Sequence, residues 1–113
     1  MAVQIVAVLC VVGLAIGQIL FKISAAAWAR TGSLFAFETA KTLVVALALY
    51  ALTTVAWVWV LQKADLGRVY PFMALAFVLV PFASHFVLGE RFPPQYFVGV
   101  ALIVIGIVVA VRA

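Results

Sequence analysis

Four apolar blocks, each long enough to cross a lipid bilayer, make up almost the whole chain, and short polar segments separate them. A bilayer core of roughly 30 Å requires about 20 apolar residues in an α-helix. Of the 113 residues, 70% are hydrophobic and only 9% are charged, so the chain has too little polar surface to fold in water. The pattern predicts an all-α integral membrane protein: a four-transmembrane-helix bundle with short loops, in a single domain over residues 1–113.

The polar segments set the predicted ends of the helices. Arginine, glycine and serine occur together at 29–33 and predict the first loop, and the segments 63–65 and 89–94 predict the other two. Pro71 and Pro81 predict a kink or a loosened turn in the third helix. The four helices are expected at about residues 2–24, 38–62, 66–88 and 94–112.

The charged and reactive residues exclude several classes of function. The seven Lys and Arg residues, which give a net charge of +4, are scattered, so no basic run could follow a nucleic acid backbone. One His, one Cys and three acidic residues do not have the spacing of a catalytic triad, a metal site or a phosphate-binding loop. We therefore expect no enzymatic activity, no metal, no cofactor and no nucleic acid partner.

The basic residues are also spread evenly over the two membrane faces. The apolar run at 1–24 has no basic start and is too long for a secretory signal, so we expect it to be retained as the first helix. The face with both termini would then carry three basic residues, and the opposite face three, or four if Lys22 reaches outward. These are Lys63, Arg68 and Arg112 against Arg30, Lys41, Arg91 and Lys22. Because a Lys and Arg excess normally decides orientation, this balance favours insertion both ways as an antiparallel homodimer, or pairing with a partner of opposite bias.

Polar side chains within the apolar blocks are the candidate functional residues, because burying them in lipid is costly. Gln18 and Lys22 are four residues apart and share one face of the first helix, where an amide and an ammonium group together suit an anionic ligand. A lysine that reaches outward to the interface is the alternative interpretation of Lys22. Tyr70 precedes Pro71, and its phenol would reach a substrate in the space that the proline loosens.

Further candidates have an equally plausible structural role. Glu38 and Lys41 are three residues apart at the start of the second helix, a spacing that also stabilises a helix end. His85 is a candidate ligand, although a lone histidine on an apolar face is more often a structural donor. Small residues at helical spacing indicate close helix packing, either within one copy or between subunits. The helix-packing candidates are Gly13, Gly17, Gly99 and Gly106.

Several motifs resemble those of the drug/metabolite transporter superfamily, whose small four-helix members and larger EamA-type members share helix signatures. These motifs are Gly17-Gln18 with Lys22-Ile23-Ser24, Leu61-Gln62 through Leu66-Gly67-Arg68-Val69-Tyr70-Pro71, Gly89-Glu90-Arg91, and Gly99 to Gly106. Small multidrug resistance proteins carry a proton-exchanging glutamate where this chain has Leu14, which cannot titrate. The chain is more similar to the small flippase subunits for undecaprenyl-phosphate aminoarabinose, which share Gly-Gln and a lysine in helix one and Tyr-Pro in helix three.

The resemblance implies a flippase that moves a polyprenyl-phosphate sugar, such as undecaprenyl-phosphate aminoarabinose, across the bacterial inner membrane. It would act as a homodimer or as a heterodimer with a similar small subunit. In this hypothesis Lys22 is the countercharge for the phosphate and Gln18 donates further hydrogen bonds. Tyr70 lines the path and Glu38 meets an amino group of the sugar. Two other functions stay open: a proton-coupled exporter of drugs, cations or metabolites, with Glu38 or Glu90 as the proton site, and an accessory membrane subunit that transports nothing.

Overall fold

The computed structural model describes all 113 residues, and helices are its only regular secondary structure. The helices are α1 (Ala2–Thr31), α2 (Phe37–Lys63), α3 (Leu66–Met73), α4 (Ala76–Leu88) and α5 (Pro94–Arg112). Because α3 and α4 together form one span, four segments are long and apolar enough to cross a membrane. The predicted all-α, four-transmembrane-helix bundle is confirmed, and the chain is a multi-pass membrane protein.

The first helix is longer than the sequence predicts. The expected end near residue 24 is wrong, because α1 continues to Thr31 and its cap is Gly32. The loop expected at 29–33 begins only at Gly32 and runs to residue 36. The intervening residues are mostly alanine, the strongest helix former. Gly32 has a left-handed φ of 74°, and its N–H donates to the carbonyl of Trp28 at 2.7 Å, a helix end that glycine adopts without strain. Arg30 therefore lies on the helix, about two turns beyond Lys22.

The third span is broken between its two prolines. Ala74 and Leu75 form a turn between α3 and α4, and the N–H of Ala74 donates to the carbonyl of Pro71 at 3.1 Å, three residues back as in a 3₁₀-helix. Neither Pro71 nor Pro81 has a backbone N–H, which weakens the α-helical hydrogen bonding on both sides of this turn. α4 itself continues through Pro81. The loosened turn expected in this span thus lies at Ala74 and Leu75.

Two glycines allow α1 and α2 to pack closely. A methyl group added to Gly13 would lie 2.7 Å from Oγ1 of Thr53, and one added to Gly17 would overlap the ring of Tyr50. Side chains of α2 therefore lie directly against the backbone of α1, which is the use that small residues have in membrane helices. The side chain of Thr53 is itself buried. The pair α1 and α2 is the scaffold on which the other helices are placed.

Gly17→Ala is expected to destabilise the folded chain by about 1–3 kcal/mol, the usual cost of overpacking. The new methyl group would meet the Tyr50 ring, which Phe21 holds by an edge contact with 4.9 Å between ring centroids. Unfolding by titration with sodium dodecyl sulfate, followed by circular dichroism, measures the loss. Gly67→Ala is the matched control, since a methyl group at Gly67 in α3 meets nothing within 4 Å. Equal unfolding midpoints for the two variants would contradict the close packing of α1 on α2.

The antiparallel spans divide the charged residues between two membrane faces. We call the face that carries residues 32–36 and 89–93 the loop face, and the face that carries both termini and residues 64–65 the termini face. At the termini face, Nη1 of Arg68 donates to the backbone carbonyl of Ala113 at 2.9 Å, which joins α3 to the end of α5. The loop face holds the charged cavity described next.

Candidate functional site

A cavity of about 550 Å³ opens at the loop face, between α1, α2 and the end of α4. Half of its ten lining residues are charged, which is a high share in a chain with so few charges. The charged residues are Lys22, Arg30, Glu38, Lys41 and Glu90. Three cations face two carboxylates, so the cavity carries a net positive charge and is suited to an anion. We call it the loop-face cavity.

Glu90 reaches this cavity because of the way in which α4 ends. Gly89 has a left-handed φ of 73°, and its N–H donates to the carbonyl of His85 at 3.2 Å. The chain turns back at this point and brings the Glu90 carboxylate to 4.0 Å from the Lys22 ammonium. The hydroxyl of Ser84, which is buried, donates to the other carboxylate oxygen of Glu90. The sequence indicates Glu90 mainly as a turn residue, and the Gly-Glu pair after a helix end was the available signal for its position.

The other charges of the cavity are paired differently from what the sequence suggests. Glu38 forms an ion pair with Arg30 rather than with Lys41. The Lys41 ammonium lies 5.4 Å from the centre of the Phe37 ring and has no carboxylate within 4.0 Å. Because Arg30 and Glu38 neutralise each other, Lys22 and Lys41 are the two cations with the weakest internal partners. Both lysine side chains line the loop-face cavity and are solvent-exposed.

Gln18 lies deeper in the membrane than Lys22 and contacts a different partner. Its Nε2 donates to the hydroxyl of Tyr50 at 2.6 Å. Gln18 also lines a neighbouring groove of about 280 Å³ beside α4 and α5, which includes Pro81 and Tyr96. The structure therefore places Gln18 next to the loop-face cavity and not in its wall. Tyr50 was not among the sequence candidates, although a tyrosine inside an apolar span needs a polar partner for its hydroxyl.

Two further candidates lie outside the cavity. Tyr70 is near the start of α3, towards the termini face, and is 59% exposed, so the structure does not bring it together with Lys22. Nδ1 of His85 donates to the backbone carbonyl of Glu90 at 2.7 Å. This hydrogen bond holds the turn that positions the Glu90 carboxylate, which is the structural role of a lone histidine.

The chemistry of the cavity is that of its charged side chains. No group of three or more His, Cys, Asp and Glu side chains is placed to hold a metal ion. A phosphate would find the ammonium groups of Lys22 and Lys41, and an amino group would find the carboxylate of Glu90. The arrangement is suited to bind a headgroup that carries both charges, at the edge of the apolar layer.

The chain resembles known transporter proteins over almost its full length. The model of the EamA-like transporter family matches residues 2–112. Three relatives share the description "probable 4-amino-4-deoxy-L-arabinose-phosphoundecaprenol flippase subunit ArnE". The one from Pectobacterium atrosepticum is 35% identical over 108 residues, 95% of each chain. Those from Pseudomonas savastanoi pv. phaseolicola and Pseudomonas syringae pv. syringae are 36% and 33% identical, over 81% of this chain and 82% and 84% of their own lengths. No solved structure matches the chain.

Proposed function

The chain belongs to the EamA-like transporter family, and we propose that it is a subunit of a flippase for a polyprenyl phosphate that carries an amino sugar such as aminoarabinose. The flippase would move this lipid between the leaflets of the bacterial inner membrane. Three relatives that carry the flippase description align with 81% or more of this chain. The observation that carries the proposal is the loop-face cavity, in which Lys22 and Glu90 offer opposite charges to one headgroup.

A phosphate cannot enter hydrocarbon without a countercharge, because an unpaired buried charge is very costly. Lys22 is nine positions before Thr31, the last residue of α1, so its Cα lies about 14 Å along the helix below the loop face. Lys41 lies at the mouth of the same cavity, in the first turns of α2. The two cations therefore differ in depth, and a phosphate that leaves Lys41 for Lys22 moves into the membrane without losing its countercharge.

The amino group of the sugar would bind to Glu90. The hypothesis drawn from the family resemblance gave this role to Glu38, but the guanidinium of Arg30 already pairs with the Glu38 carboxylate. Glu90 has a weaker partner, since its Oε2 lies at 4.0 Å from the Lys22 ammonium, the outer limit of an ion pair. An amine that binds to Glu90 therefore replaces only the weak ion pair with Lys22, and the phosphate of the same headgroup can then pair with the Lys22 ammonium. Binding of a zwitterionic headgroup thus replaces the ion pair between Lys22 and Glu90 with two ion pairs to the ligand.

The flippase would act as a dimer, with a second copy or with a similar small subunit. In α5 only Ile107 is buried, and Gly99 and Gly106 have open space beside them. Small residues that lack a neighbour within one copy allow a second helix to approach closely. Two subunits would also enclose the loop-face cavity, which a single four-helix bundle leaves open to the side.

Binding and translocation of the lipid test this function directly. The protein, purified with any membrane partner that stays bound, is expected to bind polyprenyl-phosphate aminoarabinose saturably in native mass spectrometry, and more tightly than phosphatidylglycerol. In vesicles, it should expose the amino group of lipid placed in the inner leaflet to a membrane-impermeant amine reagent outside. Lack of saturable binding would overturn the proposal. Proton flux driven by a cationic drug would instead favour an exporter, and labelling unchanged by the protein would favour an accessory subunit.

A further inference from the structure

A second, entirely apolar groove lies next to the loop-face cavity. It has a volume of about 340 Å³ and runs between α1 and α4. All eight of its lining residues are hydrophobic. Its small residues Ala15 and Ala83 leave the space between the two helices, while Ile16 and Val87 are 49% and 64% exposed at its edges. The groove therefore opens sideways to the lipid.

The groove continues the loop-face cavity along α1. Ile16 and Ile19 line the groove, and Ile23, Ala26 and Arg30 line the cavity. The steps between these residues alternate between three and four positions, so all five lie on one face of the helix. A ligand that leaves the cavity towards the membrane centre along this face enters the groove without passing a polar side chain.

The opposite wall is continuous as well. Ala83 and Val87 of α4 line the groove, and the next residue, Leu88, lines the cavity. The charged cavity and the apolar groove thus lie end to end along α1 and α4, with the cationic cavity at the loop face and the apolar groove within the bilayer. This distribution of charge matches a lipid whose single chain is attached directly to a phosphate.

We infer that the groove between α1 and α4 binds the first isoprenyl units of a polyprenyl phosphate whose phosphate lies at Lys22. The inference rests on the proposed function and names the path of the lipid chain, which phosphate binding alone does not require. The groove offers one channel from the cavity, which one chain can follow, whereas the two chains of a phospholipid diverge from their glycerol. The site would therefore select prenyl phosphates by their tail as well as by their headgroup.

Chain-length dependence tests this inference separately from phosphate binding. Ala83→Phe narrows the groove and displaces about two methylene groups of the ligand, so it is expected to lower the affinity for undecaprenyl phosphate roughly fifteenfold. The affinity for methyl phosphate, which has no isoprenyl unit and does not reach the groove, should not change. Leu52→Phe is the matched control, because Leu52 is 69% exposed on α2 and does not line the groove.

If Ala83→Phe lowers the affinity for both ligands equally, or if Leu52→Phe lowers the affinity for undecaprenyl phosphate as much, the groove does not bind the lipid chain. If the wild-type protein binds neither ligand, the proposed function itself fails. A photoreactive group on the first isoprenyl unit gives a second test in the wild-type protein. Crosslinks to α1 and α4 around Ile16 and Ala83 support the inference, and crosslinks confined to other helices overturn it. Equal displacement of the probe by phosphatidylglycerol would assign the groove to ordinary phospholipid instead.

Discussion

Lys22→Glu is expected to lower the affinity for polyprenyl phosphate about a hundredfold. A hydrogen bond to a charged group contributes about 1.5–3 kcal/mol, which corresponds to roughly a tenfold to hundredfold change in affinity. The reversed charge would also repel the phosphate and the Glu90 carboxylate, which lies 4.0 Å from the Lys22 ammonium in the wild-type chain. Native mass spectrometry or calorimetry with undecaprenyl phosphate measures the loss, so this variant has the largest effect that we expect from one residue.

The control for this variant is the same charge reversal at the other membrane face. Lys63 lines a separate cavity of about 460 Å³ at the termini face. Lys63→Glu should therefore leave the affinity within a few-fold of the wild-type value. Lys22→Arg keeps the positive charge and should retain most of the binding. If Lys22→Glu binds as well as wild type, or if Lys63→Glu loses as much, the phosphate does not lie at Lys22.

Glu90→Gln is expected to remove the preference for headgroups with an amino group. Loss of the carboxylate should weaken binding of polyprenyl-phosphate aminoarabinose at least about tenfold, the value of one charge-assisted hydrogen bond. Binding of a polyprenyl phosphate with a neutral sugar should stay unchanged or improve, because Lys22 loses its internal competitor. The ratio of the two affinities, measured in one preparation, reports the effect independently of any partial loss of folded protein.

Glu38→Gln distinguishes between the two carboxylates of the cavity. Glu38 is paired with Arg30, so this variant should weaken the binding of both lipids or of neither. The ratio of their two affinities should stay unchanged. A ratio that changes in Glu38→Gln but not in Glu90→Gln would assign the amine to Glu38, as the hypothesis drawn from the family resemblance did. The glutamine in both variants keeps the size of the side chain, and at position 90 it can still accept the hydrogen bond from Ser84.

The sequence predicts the fold better than the site for a physical reason. Lipid offers no hydrogen bonds to the backbone, so an apolar run of about 20 residues has almost no alternative to a helix. The end of α1 was missed because polar residues at 29–33 suggest a loop, whereas alanine keeps the backbone helical up to the glycine that ends it. Hydropathy indicates where a chain leaves the apolar layer, and not where its helix ends.

For the site, the sequence identifies residues but not their partners. Lys22, Glu38 and Lys41 do line one cavity, because helix spacing and antiparallel connections bring them to the same membrane face. The pairing of Glu90 with Lys22 depends on the turn at Gly89, and sequence spacing contains no information about the distance between helices. Tyr70 follows Arg68 by two residues, so the predicted order of the helices already puts it near the termini face and far from Lys22, which the hypothesis that groups the two residues overlooked. Pairings between helices therefore needed the three-dimensional structure.

The turn at Ala74 and Leu75 is a point about which α4 can tilt. Backbone hydrogen bonding of the α-helical type is interrupted there, so α4 can tilt without carrying α3 along. The 13 residues of α4 span about 20 Å, and a tilt of about 10° at one end displaces the other end by roughly 3 Å. Glu90 is attached just beyond that far end. A small rotation at the centre of the bilayer is therefore enough to bring the Glu90 carboxylate into direct contact with Lys22 or to separate the two groups.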